Sequence, residues 1–274
     1  MLSRPSGGNH LPGTVRQAVR DQWRLFFQPP YEAPITVAVN GALMSSAWFF
    51  LPTGLRDKVF TLHGTLAFAL VLAGWMYSDV PSTNILGPDA KRILAALDDP
   101  TILRRLLYAK NIVLWLMVTP LCVVVAVVNG LINHSLLSTV YTVVALAVIP
   151  FGVLAVSAWV GILFPYHPMP LRYRWEHRKP WKRMLIRWGT LAVTPYVLVP
   201  ILATLMLTPS LLLWGFTAPH GLSQHLPDHD LGLGVAVACA VALACSFGGH
   251  RLGLFMVRKR RTKLAAFLSD PGRG

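Results

Sequence analysis

Charged residues are scarce in this chain, and acidic ones are scarcer than basic ones. Of 274 residues, 13% are charged, and 11 Asp and Glu stand against 25 Lys and Arg. Residues 111–171 contain no Asp, Glu, Lys or Arg, and neither do residues 188–227. A typical soluble domain carries about 25% charged residues. The composition therefore excludes an ordinary soluble protein and favours a chain with several membrane spans.

Cysteine and catalytic motifs are scarce as well. All three cysteines, Cys122, Cys239 and Cys245, lie in apolar segments, which excludes a secreted disulfide framework and predicts packing roles. The chain lacks a phosphate-binding GxxxxGK[ST] loop, an HExxH helix, a GxSxG elbow and a pair of Asp-rich motifs. We therefore predict that the chain is not an enzyme and holds no cofactor of its own.

One polar segment, residues 215–230, contains side chains that bind metals elsewhere. These are His220, His225, Asp228, His229 and Asp230. Their spacing matches no closed metal-site template. We therefore predict an external loop and no metal site.

The apolar runs predict an all-α, polytopic membrane protein with six transmembrane helices, since one span needs about 20 apolar residues. With the N-terminus inside, Arg56 and Lys58 are the only basic residues outside, so the positive-inside rule places both termini in the cytosol. The net charge of +14 then faces anionic lipid headgroups, and no nucleic-acid partner is predicted. The predicted spans are residues 34–51, 59–77, 112–131, 140–163, 188–214 and 231–251.

The first 30 residues predict a loose tail followed by an amphipathic helix. Arg16, Arg20 and Arg24 recur every four residues beside an apolar stripe that includes Trp23. This pattern is typical of a helix that lies on the inner leaflet of a membrane. We divide the chain into residues 1–30 with this interfacial helix, a transmembrane domain over residues 31–257, and a basic cytosolic tail over residues 258–274.

Residues 79–116 predict a helical cytosolic link between spans two and three. Pro88 and Asp89 suit the first turn of a short helix over residues 89–97, and Asp99 with Pro100 suits the N-cap and first position of a second helix. This second helix runs without a charge after Lys110 into the third span, so we expect one continuous helix from cytosol to bilayer.

Two stretches of sequence carry a resemblance to a known family. DDPTILRRLLYAKNIVLW in the link and ILFPYHPMP after the fourth span, together with the predicted layout, resemble type-2 exporter permeases of the ATP-binding-cassette class, especially actinobacterial ones. The segment after FPYHPMP is more basic than this family leads us to expect.

The resemblance implies a plasma-membrane subunit that pairs with a second permease copy or paralogue and with a cytosolic ATPase, which binds the ATP. It places the contact with that ATPase on the link and on residues 172–182. The implied contact residues are Asp89, Leu94, Leu97, Asp98, Asp99, Pro100, Arg104, Arg105, Trp175 and Glu176. Because the spans carry almost no charge, we expect the substrate to be hydrophobic or amphiphilic.

Two other functions fit the same residues. A membrane-embedded enzyme acting on lipid-linked substrates would hold phosphate with its basic loops and draw its acid or base from the carboxylates near the inner face. Those carboxylates are Asp79, Asp89, Asp98, Asp99 and Glu176. A non-catalytic accessory subunit of a membrane complex would instead have a stable partner that is not an ATPase.

Overall fold

The structure of the protein is a computed structural model. Within the part of the chain that it describes, every regular element is a helix and no strand occurs. The described residues are 11–28, 31–50, 52, 67–132, 134, 136–165, 167, 189, 193–206 and 228–270.

Ten helices of four residues or more follow one another along the described ranges, and a 3-10 turn, Gly87–Asp89, lies between the fourth and the fifth. The helices are α1 (Val15–Phe26), α2 (Glu32–Phe50), α3 (Ala67–Tyr77), α4 (Val80–Thr83), α5 (Ala90–Ala96), α6 (Pro100–Ile132), α7 (Leu136–Leu163), α8 (Val193–Met206), α9 (Asp228–Lys259) and α10 (Arg261–Leu268).

Four of these helices, α2, α6, α7 and α9, are long and apolar enough to cross a membrane. They coincide with the first, third, fourth and sixth predicted spans. The shorter apolar helices α3 and α8 lie within the second and fifth predicted spans, whose remaining residues, apart from Gly189, fall outside the described ranges. The chain is therefore all-helical, and its long apolar helices indicate a membrane-embedded protein.

The long helix after the link begins with a side-chain cap. The carboxylate of Asp99 accepts hydrogen bonds from the backbone N–H groups of Thr101 at 2.8 Å and Ile102 at 3.1 Å. This is an N-cap, and Pro100 takes the first helical position, where its missing N–H costs nothing. From there α6 continues for 33 residues, through Pro120, without a break.

Helices α7 and α9 form the most closely packed pair, because small residues let their backbones approach. A methyl group at Gly152 would lie 2.6 Å from the carbonyl oxygen of Ala242, and one at Gly249 would lie 3.1 Å from the side chain of Ala155. The indole N–H of Trp159 donates to the carbonyl of Gly249 at 2.9 Å. Such contacts are typical of helix pairs in membranes, where apolar burial alone does not favour association.

Helix α6 joins this pair to α3 through a short hydrogen-bond chain. The hydroxyl of Thr119 donates to the carbonyl of Leu146 on α7 at 3.3 Å, so the Tyr77 hydroxyl, 2.8 Å away, donates to Thr119. Around this chain lies the larger apolar cluster, with Val118 and Leu154 fully buried. The outward faces of the same helices are apolar too, and Leu131 and Ile132 are both 68% exposed. Such apolar exposed faces are expected to contact lipid acyl chains.

A second apolar cluster lies at the opposite end of α6, next to α5. It combines Ile93 and Leu97 of the α5 region with Leu106 of α6 and with Leu264 and Leu268 of α10. Part of the predicted basic tail is therefore a folded helix that packs against α5. The turn before α10 is also fixed, since the Arg260 guanidinium donates to the carbonyls of Ile162 and Leu163, which end α7.

Gly161 is the point where α7 meets the segment after α4, and it generates a stability prediction. A methyl group there would overlap the carbonyl oxygen of Thr83 and lie 3.0 Å from the backbone nitrogen of Ile85. We expect Gly161→Ala to lower the unfolding free energy in detergent by about 1–3 kcal/mol through overpacking. At Gly248 a methyl group meets nothing within 4 Å. Gly248→Ala is therefore the matched control, and it is expected to leave stability unchanged or to raise it by up to about 1 kcal/mol, because alanine favours a helix over glycine. Equal thermal unfolding midpoints for the two variants would contradict this packing.

Candidate functional site

The segment between α3 and α6, residues 78–99, is called the link below, and its first half is buried. Ser78, Ser82, Thr83 and Leu86 are each at most 1% exposed. A buried backbone needs partners for its polar groups, and local side chains supply several of them. The Ser82 hydroxyl donates to the carbonyl of Asp79 at 2.7 Å, and the carbonyl of Ser82 accepts from the Ser157 hydroxyl of α7 at 3.1 Å.

Lys110 of α6 supplies the partner for a further link carbonyl. Its ammonium donates to the carbonyl oxygen of Ile85, and the residue is only 5% exposed. A buried ammonium is stable only when hydrogen bonds and an opposite charge replace water. The opposite charge is the carboxylate of Asp89, which lies 8% exposed in the 3-10 turn that precedes α5.

Arg92 on α5 extends this pair into a network that reaches α1. Its Nη2 donates to the Oδ2 of Asp21 at 2.8 Å, and its Nη1 lies 3.6 Å from the Oδ2 of Asp89. Two ion pairs thus run from Asp21 through Arg92 to Asp89, and the charge of Lys110 acts on Asp89 as well. We call these four residues the ion-pair network. It joins α1 to the link and to α6, which both lie far from α1 in the sequence.

The electrostatics of Asp89 follow from its position. Burial raises the pKa of its carboxyl above the ordinary value, while the neighbouring charges of Lys110 and Arg92 act in the opposite direction. Its Oδ2 has no hydrogen-bond partner among the described residues. Asp89 therefore depends on the two cations around it, and the removal of either cation leaves a costly buried charge.

A second polar group begins at Asn111, the residue after Lys110 on α6. Asn111 Nδ2 is 3.2 Å from His250 Nε2, and His250 Nδ1 is 2.8 Å from the carbonyl oxygen of Ser246. Because a carbonyl only accepts, Nδ1 carries the proton and Nε2 accepts from the Asn111 amide. The ring of Tyr108 stacks on the imidazole at a centroid distance of 3.9 Å. These contacts fix α6 to α9 next to the ion-pair network.

The predicted contact residues fall into three groups. Asp98, Asp99 and Arg104 are exposed around the turn between α5 and α6, with Leu94, Pro100 and Arg105 half-buried beside them. Asp89 and Leu97 are buried within the chain, so they shape the turn without being available to a partner. Trp175 and Glu176 lie outside the described residues.

The predicted interfacial helix is α1. Its N-cap is Thr14, whose hydroxyl accepts from the N–H of Gln17 at 3.2 Å. Its inward face carries the buried Ala18 and Gln22 and packs against α6. Three arginines and one tryptophan predicted to face the membrane interface, Arg16, Arg20, Trp23 and Arg24, are all exposed.

Sequence reasoning did not find Lys110, Asp21, Asn111 or His250 as a group. Lys110 carried a signal, because it shares a helix face with the buried Leu103, Leu107 and Leu114. A single cation on an otherwise apolar face predicts a buried partner. Which partner it meets was not readable, since Asp21 and Arg92 are 71 positions apart.

The ion-pair network is buried and joins helices that lie far apart in the sequence. Within the described ranges, three or more His, Cys, Asp or Glu side chains do not come together in a way that could hold a metal. Comparison of the chain with protein-family models, with curated proteins and with solved structures finds no match. Function is therefore inferred from the contacts, burial and charges of these residues.

Arg92 generates a prediction for the stability of the link. Arg92→Met removes the cation between Asp21 and Asp89, and we expect a loss of about 3 kcal/mol because an uncompensated buried charge remains. Asp89→Asn in the same chain is expected to recover part of that loss. Lys91→Met, which removes the adjacent exposed cation, is the control and is expected to change stability by less than about 0.5 kcal/mol. Thermal unfolding in detergent measures all three, and equal losses for Lys91→Met and Arg92→Met would refute the network.

Proposed function

We propose that the chain is the membrane-spanning subunit of an ATP-binding-cassette exporter. In this proposal it lies in the plasma membrane with six spans and both termini in the cytosol. It pairs with a second permease copy or paralogue, and a separate cytosolic ATPase supplies the energy. A hydrophobic or amphiphilic substrate crosses between the two permease halves.

The observation that carries the proposal is the construction of α6. It is a single helix of 33 residues, about 50 Å long at about 1.5 Å per residue. Its first turns lie beside the exposed residues of the link, and its remainder is apolar. A displacement at Pro100 is therefore transmitted along one rigid element, which a permease without its own nucleotide site requires.

The ion-pair network supports the same proposal. It ties the base of α6 to α5 and α1 through Lys110, Asp89 and Arg92, so these elements move as one body. A partner that pushes on the link then moves α6 without deforming the contact surface. Transmission through a loose connector would dissipate the same motion.

The surface offered to the ATPase is small and charged. Asp98 and Asp99 are exposed at the turn, and Arg104 is exposed one turn into α6. Asp98 also pairs with Arg261 of α10 at the surface, where both side chains remain more than half exposed. We propose that Leu94, Pro100 and Arg105 form the edge of this surface, and that the segment with Trp175 and Glu176 adds a second contact.

Membrane placement rests on composition and surface. All but two of the 25 basic residues fall on one side when the apolar segments are threaded as six spans. Within the predicted spans, the exposed faces of α2, α6, α7 and α9 are mostly apolar, with Phe50 at 85% and Leu136 at 78% exposure. The near absence of charge from these spans is the reason to propose an amphiphilic substrate over an ion or a sugar.

The test is affinity purification of the tagged chain from its native membrane in mild detergent, followed by mass spectrometry and an ATPase assay. We expect a P-loop ATPase to be recovered with the chain. Arg104→Glu is expected to reduce recovery or uncouple ATP hydrolysis from transport at least tenfold, because it reverses an exposed charge on the proposed contact surface. Arg258→Glu, which changes another exposed arginine at the end of α9, is the control.

Asp99 allows the contact to be separated from helix capping. Asp99→Asn removes the charge and keeps an N-cap side chain, whereas Asp99→Ala removes both. If the charge contacts the ATPase, both variants lose coupling; if only the cap matters, Asp99→Ala alone does. Recovery of the chain by itself, or with partners that are not ATPases, would refute the permease and favour an accessory subunit or an enzyme on lipid-linked substrates.

A further inference from the structure

We propose that the outer flank of α1 and the adjoining face of α6 form a binding site for one anionic phospholipid. The site is a cleft of about 800 Å³. The proposal depends on the proposed function only in placing α1 at the level of the lipid headgroups. It adds a defined site to what would otherwise be general attraction between a basic helix and a membrane.

The cleft carries a row of cations that nothing in the described chain neutralises. Arg16, Arg20 and Arg24 line it, and none of the three makes a hydrogen bond or an ion pair with a described residue. The acid on the same helix, Asp21, is paired with Arg92. The cleft therefore keeps its full positive charge, and arginine side chains bind phosphate oxygens with paired, charge-assisted hydrogen bonds.

The cleft also has apolar lining residues, which distinguishes a lipid site from a site for free phosphate. Val19 and Trp23 of α1 and Leu116 of α6 line it together with the arginines. Leu116 also begins an exposed stripe on α6 with a spacing of three or four residues, which continues through Pro120, Val124, Val127 and Leu131. This stripe is about 22 Å long at about 1.5 Å per residue, a length that fits an acyl chain.

The site for the lipid headgroup and the site for a lipid acyl chain are thus next to each other on the molecule. An anionic phospholipid places its phosphate among the arginines, its glycerol region beside Trp23, and one chain along the stripe that begins at Leu116. Aromatic side chains of this kind commonly lie at the headgroup level. A zwitterionic lipid carries its own cation and competes with the arginines for the phosphate, so it binds less well.

The test is native mass spectrometry of the full chain in mild detergent, with added dioleoyl phosphatidylglycerol, dioleoyl phosphatidylcholine or glycerol phosphate. We expect one phosphatidylglycerol per chain, at least tenfold tighter than phosphatidylcholine. Arg16→Gln/Arg20→Gln is expected to weaken that binding about tenfold or more, since charge-assisted hydrogen bonds are lost. Arg258→Gln/Lys259→Gln removes the same charge elsewhere and is expected to leave binding unchanged.

Leu116→Trp tests the proposed site for the acyl chain without altering charge. It fills part of the cleft and is expected to weaken phosphatidylglycerol binding several-fold. If both double variants weaken binding equally, if phosphatidylcholine binds as well in the unaltered chain, or if glycerol phosphate displaces the lipid at equal concentration, the proposal is wrong. Should the double variant fail to fold, the unaltered chain and Leu116→Trp still decide the outcome.

The lipid measurement needs no ATPase, so it is independent of the test of the permease. Selective phosphatidylglycerol binding by a chain that recovers no ATPase would leave the lipid site and refute the exporter. Recovery of a coupled ATPase by a chain that does not distinguish the two lipids would support the exporter and refute the lipid site.

Discussion

The buried ammonium of Lys110 must be neutralised, and this requirement determines the arrangement of the polar residues around the link. Lys110 lies inside the chain, where an unpaired charge is costly. Its requirement brings the carbonyl of Ile85 and the carboxylate of Asp89 to one side of α6, and Asp89 in turn needs Arg92. The path of the link is therefore set by charge compensation, and the apolar contacts of Ile93 and Leu97 fill the space that remains.

The rest of the fold follows different rules at its two ends. Near the link, the contacts are those typical of water-soluble proteins: helix caps, ion pairs and a compact apolar cluster under α5 and α10. Along α6, α7 and α9, backbones approach through glycine and alanine, and hydrogen bonds run from Thr119 and Trp159 to carbonyls on neighbouring helices. Each set of contacts suits its solvent. Helix α6 takes part in both sets of contacts, and it therefore connects the two ends of the fold mechanically.

Local signals in the sequence were sufficient for the helices and insufficient for their contacts. Asp99 with Pro100 predicted the start of α6, and the four-residue repeat of arginines predicted α1, because capping and periodicity act over one or two turns. The pairing of Asp21 with Arg92 depends on how three helices pack, and no local pattern encodes it. Likewise, Leu264 and Leu268 are spaced for one helix face, but the surrounding basic residues made that segment look like a solvated tail.

The position of α10 has a consequence for the order of synthesis. Its Leu264 and Leu268 complete the apolar cluster beneath Leu97, yet they are translated after α9, the last of the long apolar helices. Until α10 has been made, the face of α5 that it contacts stays uncovered, and Asp98 cannot pair with Arg261. The surface around the turn between α5 and α6 thus reaches its final form only when the membrane helices have already been made. A nascent chain, even with every apolar helix in place, does not yet present the finished turn to a partner.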